Sequence, residues 1–152
     1  MPKASVKRLI ECKKKDLIDL VLDIEKYPEF VPFCFDAKIH ENNSDSKFVK
    51  IIADLTIGKG PFKDTYKSDV VFNRKEDSIF VKNIEGPLNH LSNNWIFVDK
   101  ENGITEVTFD IDFEIKNKFL NSLMVVSFQF GLEKIADAFQ KRAEELFGNS
   151  KN

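Results

Sequence analysis

The hydrophobic period changes once near the C-terminal end, and that change limits the folds open to the chain. In ITEVTFDIDFEI, Val107, Phe109, Ile111, Phe113 and Ile115 alternate strictly with Thr108, Asp110, Asp112 and Glu114. A period of two is a strand with one buried and one wet face. From Lys118 onward the recurring positions are three or four apart: Leu120, Leu123 or Met124, Ser127 or Phe128, Gly131, Ile135, Phe139, Arg142 or Ala143, and Leu146. That is one amphipathic helix of about eight turns. A half-buried strand and a long one-faced helix each need a partner for the apolar side. The economical solution is a curved antiparallel sheet wrapped around the helix, an α+β design.

Upstream segments fit that solution. Ser5–Cys12 reads as a first strand, with Val6 and Ile10 on a face that Arg8 interrupts. Leu17, Leu20, Val21 and Ile24 fall at helical spacing. EKYPEFV reads as a second short helix, with Pro28 in its first turn and Pro32 ending it. FCFDAKI puts Phe33, Phe35, Ala37 and Ile39 on one face. Val49, Ile51, Ala53, Leu55 and Ile57 form a second such face, and Tyr66, Ser68, Val70 and Phe72 a third. IFVKNIEG and WIFV are two further strands, separated by GPLNHLSNN, which reads as loop or irregular strand. The expected order is a strand, two short helices, six strands and the long helix, in one domain over 1–152. Short turns between successive strands make the sheet antiparallel, with about seven strands.

Charge and cysteine usage narrow the partners. A net charge of -2 argues against a chain whose main task is coating nucleic acid, so no DNA partner is expected. The local exception is Lys3 to Lys15, where six basic residues meet Glu11 alone; on an edge strand such lysines also discourage aggregation. Cys12 and Cys34 are isolated and match no metal spacing, which fits a reduced, cytoplasmic setting. The uncharged run from Phe119 to Leu132 is 14 residues, too short to span a bilayer.

Four blocks carry a family resemblance. LIDLVLDIEKYPEFVPFC, IEGPLNHLSNNWIF, VTFDIDFEI and AFQKRAEELFG, spread over residues 4–148, resemble the coenzyme Q-binding COQ10 / RatA family. That family sits in the START-like, helix-grip superfamily, which also holds polyketide cyclases and lipid-transfer proteins. Two departures stand out: Phe33 where many members carry Trp, and Leu88 where Phe usually follows Gly-Pro. The resemblance implies a helix-grip fold and binding rather than catalysis. Two partners follow from it. One is ubiquinone or another lipid, in support of respiratory electron transfer, with transient peripheral contact at the inner membrane. The alternative is the large ribosomal subunit, bound by a toxin that blocks subunit joining.

The residues themselves offer no catalytic constellation and no metal set. His40 and His90 are separate, no nucleophile elbow or phosphate loop is present, and Asp110, Asp112 and Glu114 sit on the wet face. A quinone site needs an apolar slot and a few polar groups. Leu123, Ser127 and Gly131 would line its helix side, Phe109, Ile111 and Phe113 its sheet side, and Tyr27, Phe30 and Phe33 its mouth. Tyr27 would offer its phenolic hydrogen to a quinone carbonyl. Gly131 marks either vacant volume or the close approach of a strand. Arg142 is expected to pair with a carboxylate, with Asp23 as a candidate.

Overall fold

The computed structural model describes residues 3–59, 61–86 and 88–148, with side chains described at all of these except 59, 62, 88, 89, 115 and 120–128. Strand β1 (Lys3–Ile10) leads into helix α1 (Lys14–Leu22) and a 3-10 turn (Ile24–Glu29). Six strands follow: β2 (Cys34–Ser44), β3 (Phe48–Lys59), β4 (Phe62–Asn73), β5 (Ser78–Glu85), β6 (Leu88–Asp99) and β7 (Thr105–Ile115). Helix α2 (Lys118–Phe147) closes the chain with 30 residues. The strands form one seven-stranded sheet in the order β1-β7-β6-β5-β4-β3-β2, antiparallel at every pairing. This is the helix-grip arrangement, and the expected order of elements is the observed one.

Alternation explains which face the sheet buries. Val6 and Ile10, Ile51, Ala53 and Leu55, Tyr66, Ser68, Val70 and Phe72, Ile79 and Val81, and Val107, Phe109 and Phe113 all point inward and are buried. Arg8 shares the parity of Val6 and Ile10 and escapes burial of its charge by reaching Asp137 on α2 at 2.8 Å. Its stem lies along the core while the guanidinium stays wet, tying the edge strand to the helix.

Two local expectations are corrected and one open alternative is decided. Pro28 sits late in a 3-10 turn and not in the first turn of an α-helix. The face FCFDAKI does not form as expected. Phe33 precedes β2 with φ 70°, and a register shift between Cys34 and Asp36 turns the strand over. Cys34 goes inside and Phe35 outside, 46% exposed, with the Lys63 ammonium 4.1 Å from its ring centre. Of the two readings left open for LNHLSNN, loop or irregular strand, the structure shows the second, with a register shift between Leu88 and His90. The segment pairs in register with β7 from His90–Glu114 to Asp99–Thr105, and that cross-strand ladder outweighs its low intrinsic strand preference. Gly86 before it is obligatory: at φ 136° a Cβ would lie 2.7 Å from Tyr66 Cβ.

Candidate functional site

The concave face is filled at one end and hollow in its middle. At the filled end α1, the 3-10 turn and the second half of α2 converge on Phe139. Its ring meets Tyr27 at 5.4 Å, Phe30 at 5.1 Å and Trp95 at 5.0 Å, all edge to face, and Trp95 stacks on Phe109 at 4.1 Å. These are favourable aromatic geometries at core density. The space left there, lined by Val6, Leu17, Val21, Val107 and neighbours, is about 30 Å³, the size of one water.

Tyr27 and Phe30 therefore do not form the mouth of a slot; they cap the core. The Tyr27 hydroxyl donates to the Val21 carbonyl across the α1 turn, so the phenolic hydrogen assigned to a quinone carbonyl is already committed. Burial pushes its phenol well above the usual tyrosine range, which keeps it a donor at any working pH. Arg142 also finds a different partner. It donates to Glu29 at 2.7 Å, not to Asp23, and lies over the Phe30 ring at 5.0 Å.

The hollow lies across β1, β7 and β6. One row of the sheet aligns Ala4, Ile111 and Asn93. All three are only partly buried, whereas Leu91 and Phe113 on one side, and Trp95 and Phe109 on the other, are buried. Those three residues border an open cavity of about 540 Å³, whose lining also takes in Gln129 of α2 and seven residues of the opposite parity, Lys3, Ser5, Phe80, Ser92, Asn94, Asp110 and Asp112. The volume is in the range of small-molecule sites. Ile111 is among the residues lining this cavity, while Phe109 and Phe113 are buried in the neighbouring rows. Gly131 faces Phe33, whose Cε2 lies 3.8 Å from where a Cβ would stand. The room over the glycine is taken by a ring, not by a strand. Leu123 and Ser127 fall among the side chains outside the described residues.

Sequence reading missed Asn93. The signal was present: counting back by twos from Phe97 and Trp95 puts Asn93 on the inner face. It was lost because its segment reads as loop or irregular strand, which leaves parity undefined.

Two carboxylates, Asp110 and Asp112, are among the residues lining the cavity. His40 is 2.7 Å from Asp54 and His90 is 3.6 Å from Asp112, both partly exposed and on separate strands. Among the described residues, no three His, Cys, Asp or Glu side chains converge as a metal requires. Cys34 is buried, and burial pushes its thiol up to about 11.

The family described as polyketide cyclase / dehydrase and lipid transport matches residues 11–140. The chain belongs to this family. Among curated relatives it is 34% identical over 143 residues to the ribosome association toxin RatA of Rickettsia prowazekii, covering 91% of this chain and 94% of that one. It is 30% identical over 135 residues to the mitochondrial coenzyme Q-binding protein COQ10 of Dictyostelium discoideum, covering 86% of this chain and 63% of that one. In structure it resembles a START superfamily protein from Mycobacterium smegmatis, with TM-score 0.79, 19% identity and coverage of 95% and 98%. The same fold is carried by an aromatase/cyclase from Streptomyces, with TM-score 0.78, 13% identity and coverage of 94% and 93%. The fold accordingly serves enzymes as well as proteins named for binding, and function must be argued from the site. No helix among the described residues is long and apolar enough to cross a membrane.

Proposed function

We propose that this protein binds a hydrophobic ligand without altering it covalently, and that the ligand is an isoprenoid quinone such as ubiquinone, in support of respiratory electron transfer. The observation carrying this reading is the hollow of about 540 Å³ bordered by Ala4, Ile111 and Asn93. The printed function of the Dictyostelium relative, coenzyme Q binding, agrees with it. A lipid-borne quinone must be collected from a bilayer, which calls for transient peripheral contact at the inner membrane from the cytoplasmic side. Phe119 and Phe130 suit that contact. They are 67% and 63% exposed and stand eleven residues apart on α2, about three turns, hence on one side of the helix. Native mass spectrometry and organic extraction of the protein from quinone-containing cells test the reading. A bound quinone or lipid is expected. Its absence, together with no saturable binding of a short-tailed quinone, overturns it.

A second reading has its own support. The Rickettsia relative is named for ribosome association and is matched over nearly its whole length. The basic stretch that would meet RNA is, however, largely engaged within the protein. Lys7 reaches Glu106 at 4.0 Å, Arg8 meets Asp137, Lys14 meets Asp77 at 2.8 Å and Asp99 at 3.1 Å, and Lys15 meets Asp19 at 2.8 Å. Locally balanced charge gives little of the counterion release that drives RNA binding. The quinone reading is therefore ranked first.

A further inference from the structure

Asn102 and Gly103 form the only Asn-Gly step in the chain, and both are exposed in the turn between β6 and β7. There the Ile104 amide donates to the Glu101 carbonyl at 3.3 Å. Asn102, at φ 62° and ψ 33°, and Gly103, at φ 72°, both take left-handed backbone. A hydrogen bond from the fourth residue to the first, across two residues of positive φ, is a type I′ turn, whose twist matches that of the strands it joins. The Lys100 amide donates to the Ile104 carbonyl at 2.8 Å and Asp99 pairs with Thr105, so the ladder runs right up to the turn.

An Asn-Gly step is chemically labile. The deprotonated glycine nitrogen attacks the asparagine side-chain carbonyl carbon, a C–N bond closes a succinimide ring, and ammonia leaves. Water then opens the ring at either carbonyl, giving aspartate or isoaspartate. Nothing but water is consumed. Glycine favours the attack because it has no side chain to hinder it, and no other part of the protein lies within 4 Å of where a Gly103 Cβ would stand. Closing the ring requires Cβ and the next nitrogen to be nearly eclipsed about the Cα–C bond. At ψ 33° the tetrahedral Cα of an L-residue puts those two atoms on nearly opposite sides of that bond. The formed turn thus holds the reacting atoms apart. We infer that Asn102 is a spontaneous deamidation site gated by the fold, closed while the β6–β7 turn is formed and reactive when this end of the hairpin opens. Such local opening costs less than global unfolding. The step is also one-way. Isoaspartate lengthens the backbone by one carbon, so it breaks the two-residue turn geometry that sets the register of β6 on β7. Those strands carry Trp95 and Phe109, which stack in the core. Aspartate, the other product, is accepted in a type I′ turn. None of this depends on what the concave face binds.

Incubation at mildly alkaline pH, in buffer and in denaturing guanidinium chloride, tests this. Isoaspartate at position 102 is located by peptide mass mapping and counted by methyl transfer from S-adenosylmethionine with an isoaspartyl methyltransferase. The reaction in buffer should be at least about tenfold slower than in denaturant. Val107→Ala empties a buried position on β7 close to the turn, and should speed the reaction in buffer while leaving the rate in denaturant unchanged. Asn102→Asp should melt as wild type does, whereas aged protein enriched in isoaspartate should melt lower. Equal rates in buffer and denaturant overturn the gate, as does a buffer rate that Val107→Ala leaves unmoved. Absence of isoaspartate at position 102 even in denaturant overturns the site itself, and unchanged melting of the aged protein overturns the one-way step.

Discussion

Gly131 shows how a missing side chain is used. Mid-helix glycine costs about 1 kcal/mol relative to alanine, so its presence in α2 asks for a neighbour that needs the room. That neighbour is the Phe33 ring, held in place by the unusual backbone of its own residue at φ 70° and by the Gly58 amide, which donates to the Phe33 carbonyl at 3.0 Å. A Cβ at 131 meets Phe33 at ordinary contact distance. Gly131→Ala should therefore gain about 0.5–1 kcal/mol through helix propensity, while Gly131→Leu should lose about 1–3 kcal/mol by overpacking the ring. Urea midpoints of the two variants measure both. A destabilised alanine variant would mean the ring tolerates no contact there. Cys34 offers a second test at this scale. With its thiol near 11, about one in a thousand is ionised at pH 8, and thiolate is the reactive form. Labelling by a disulfide reagent at pH 8 should be slow in native protein and fast in denaturant; rapid native labelling would contradict the burial.

At the scale of elements, the join between the 3-10 turn and α2 matters most. Phe139 touches Tyr27, Phe30 and Trp95, so Phe139→Ala removes contacts to three rings at once. A loss of about 3–5 kcal/mol is expected by chemical denaturation. Arg142 and Glu29 clasp the same join at its wet rim. The Arg142 hydrogen bond, with Lys26 adding attraction, holds the Glu29 carboxyl below the ordinary glutamate range. A lowered folded pKa adds stability above the ordinary value of about 4.3, and that stability is lost as pH falls through the lowered one. Glu29→Gln should lower the melting temperature slightly at pH 7 and leave it unchanged near pH 2, once the wild-type carboxyl is protonated. An equal loss at both pH values would assign the effect to packing instead.

For the whole molecule, charge decides between partners. The chain is slightly acidic, and its basic N-terminal stretch is answered by acids from α1, α2, β6, β7 and the turn after β4. Co-sedimentation with purified large ribosomal subunits should give no stoichiometric pelleting at about 150 mM salt. Salt-resistant pelleting, abolished by reversing Lys3 and Lys13 to Glu, would reverse the ranking of the two readings.

Periodicity alone was enough for the order of elements and for most of the core. Alternation in β3, β4 and β7 marks the inward residues because a strand's side chains can face only two ways. The switch to a 3.6 period at Lys118 marks α2 for the same kind of reason. What periodicity could not supply was anything set by contacts distant in sequence. The bulge that turns Phe35 outward depends on the pairing of β2 with β3. The strand state of LNHLSNN depends on β7. Tyr27 and Phe30 became a cap, not a mouth, because α2 brings Phe139 between them, more than a hundred residues along the chain. Asn93 follows the same logic: its parity is written in the chain, but only the assembled sheet decides that its carbonyl is buried beside a hollow and left without a donor.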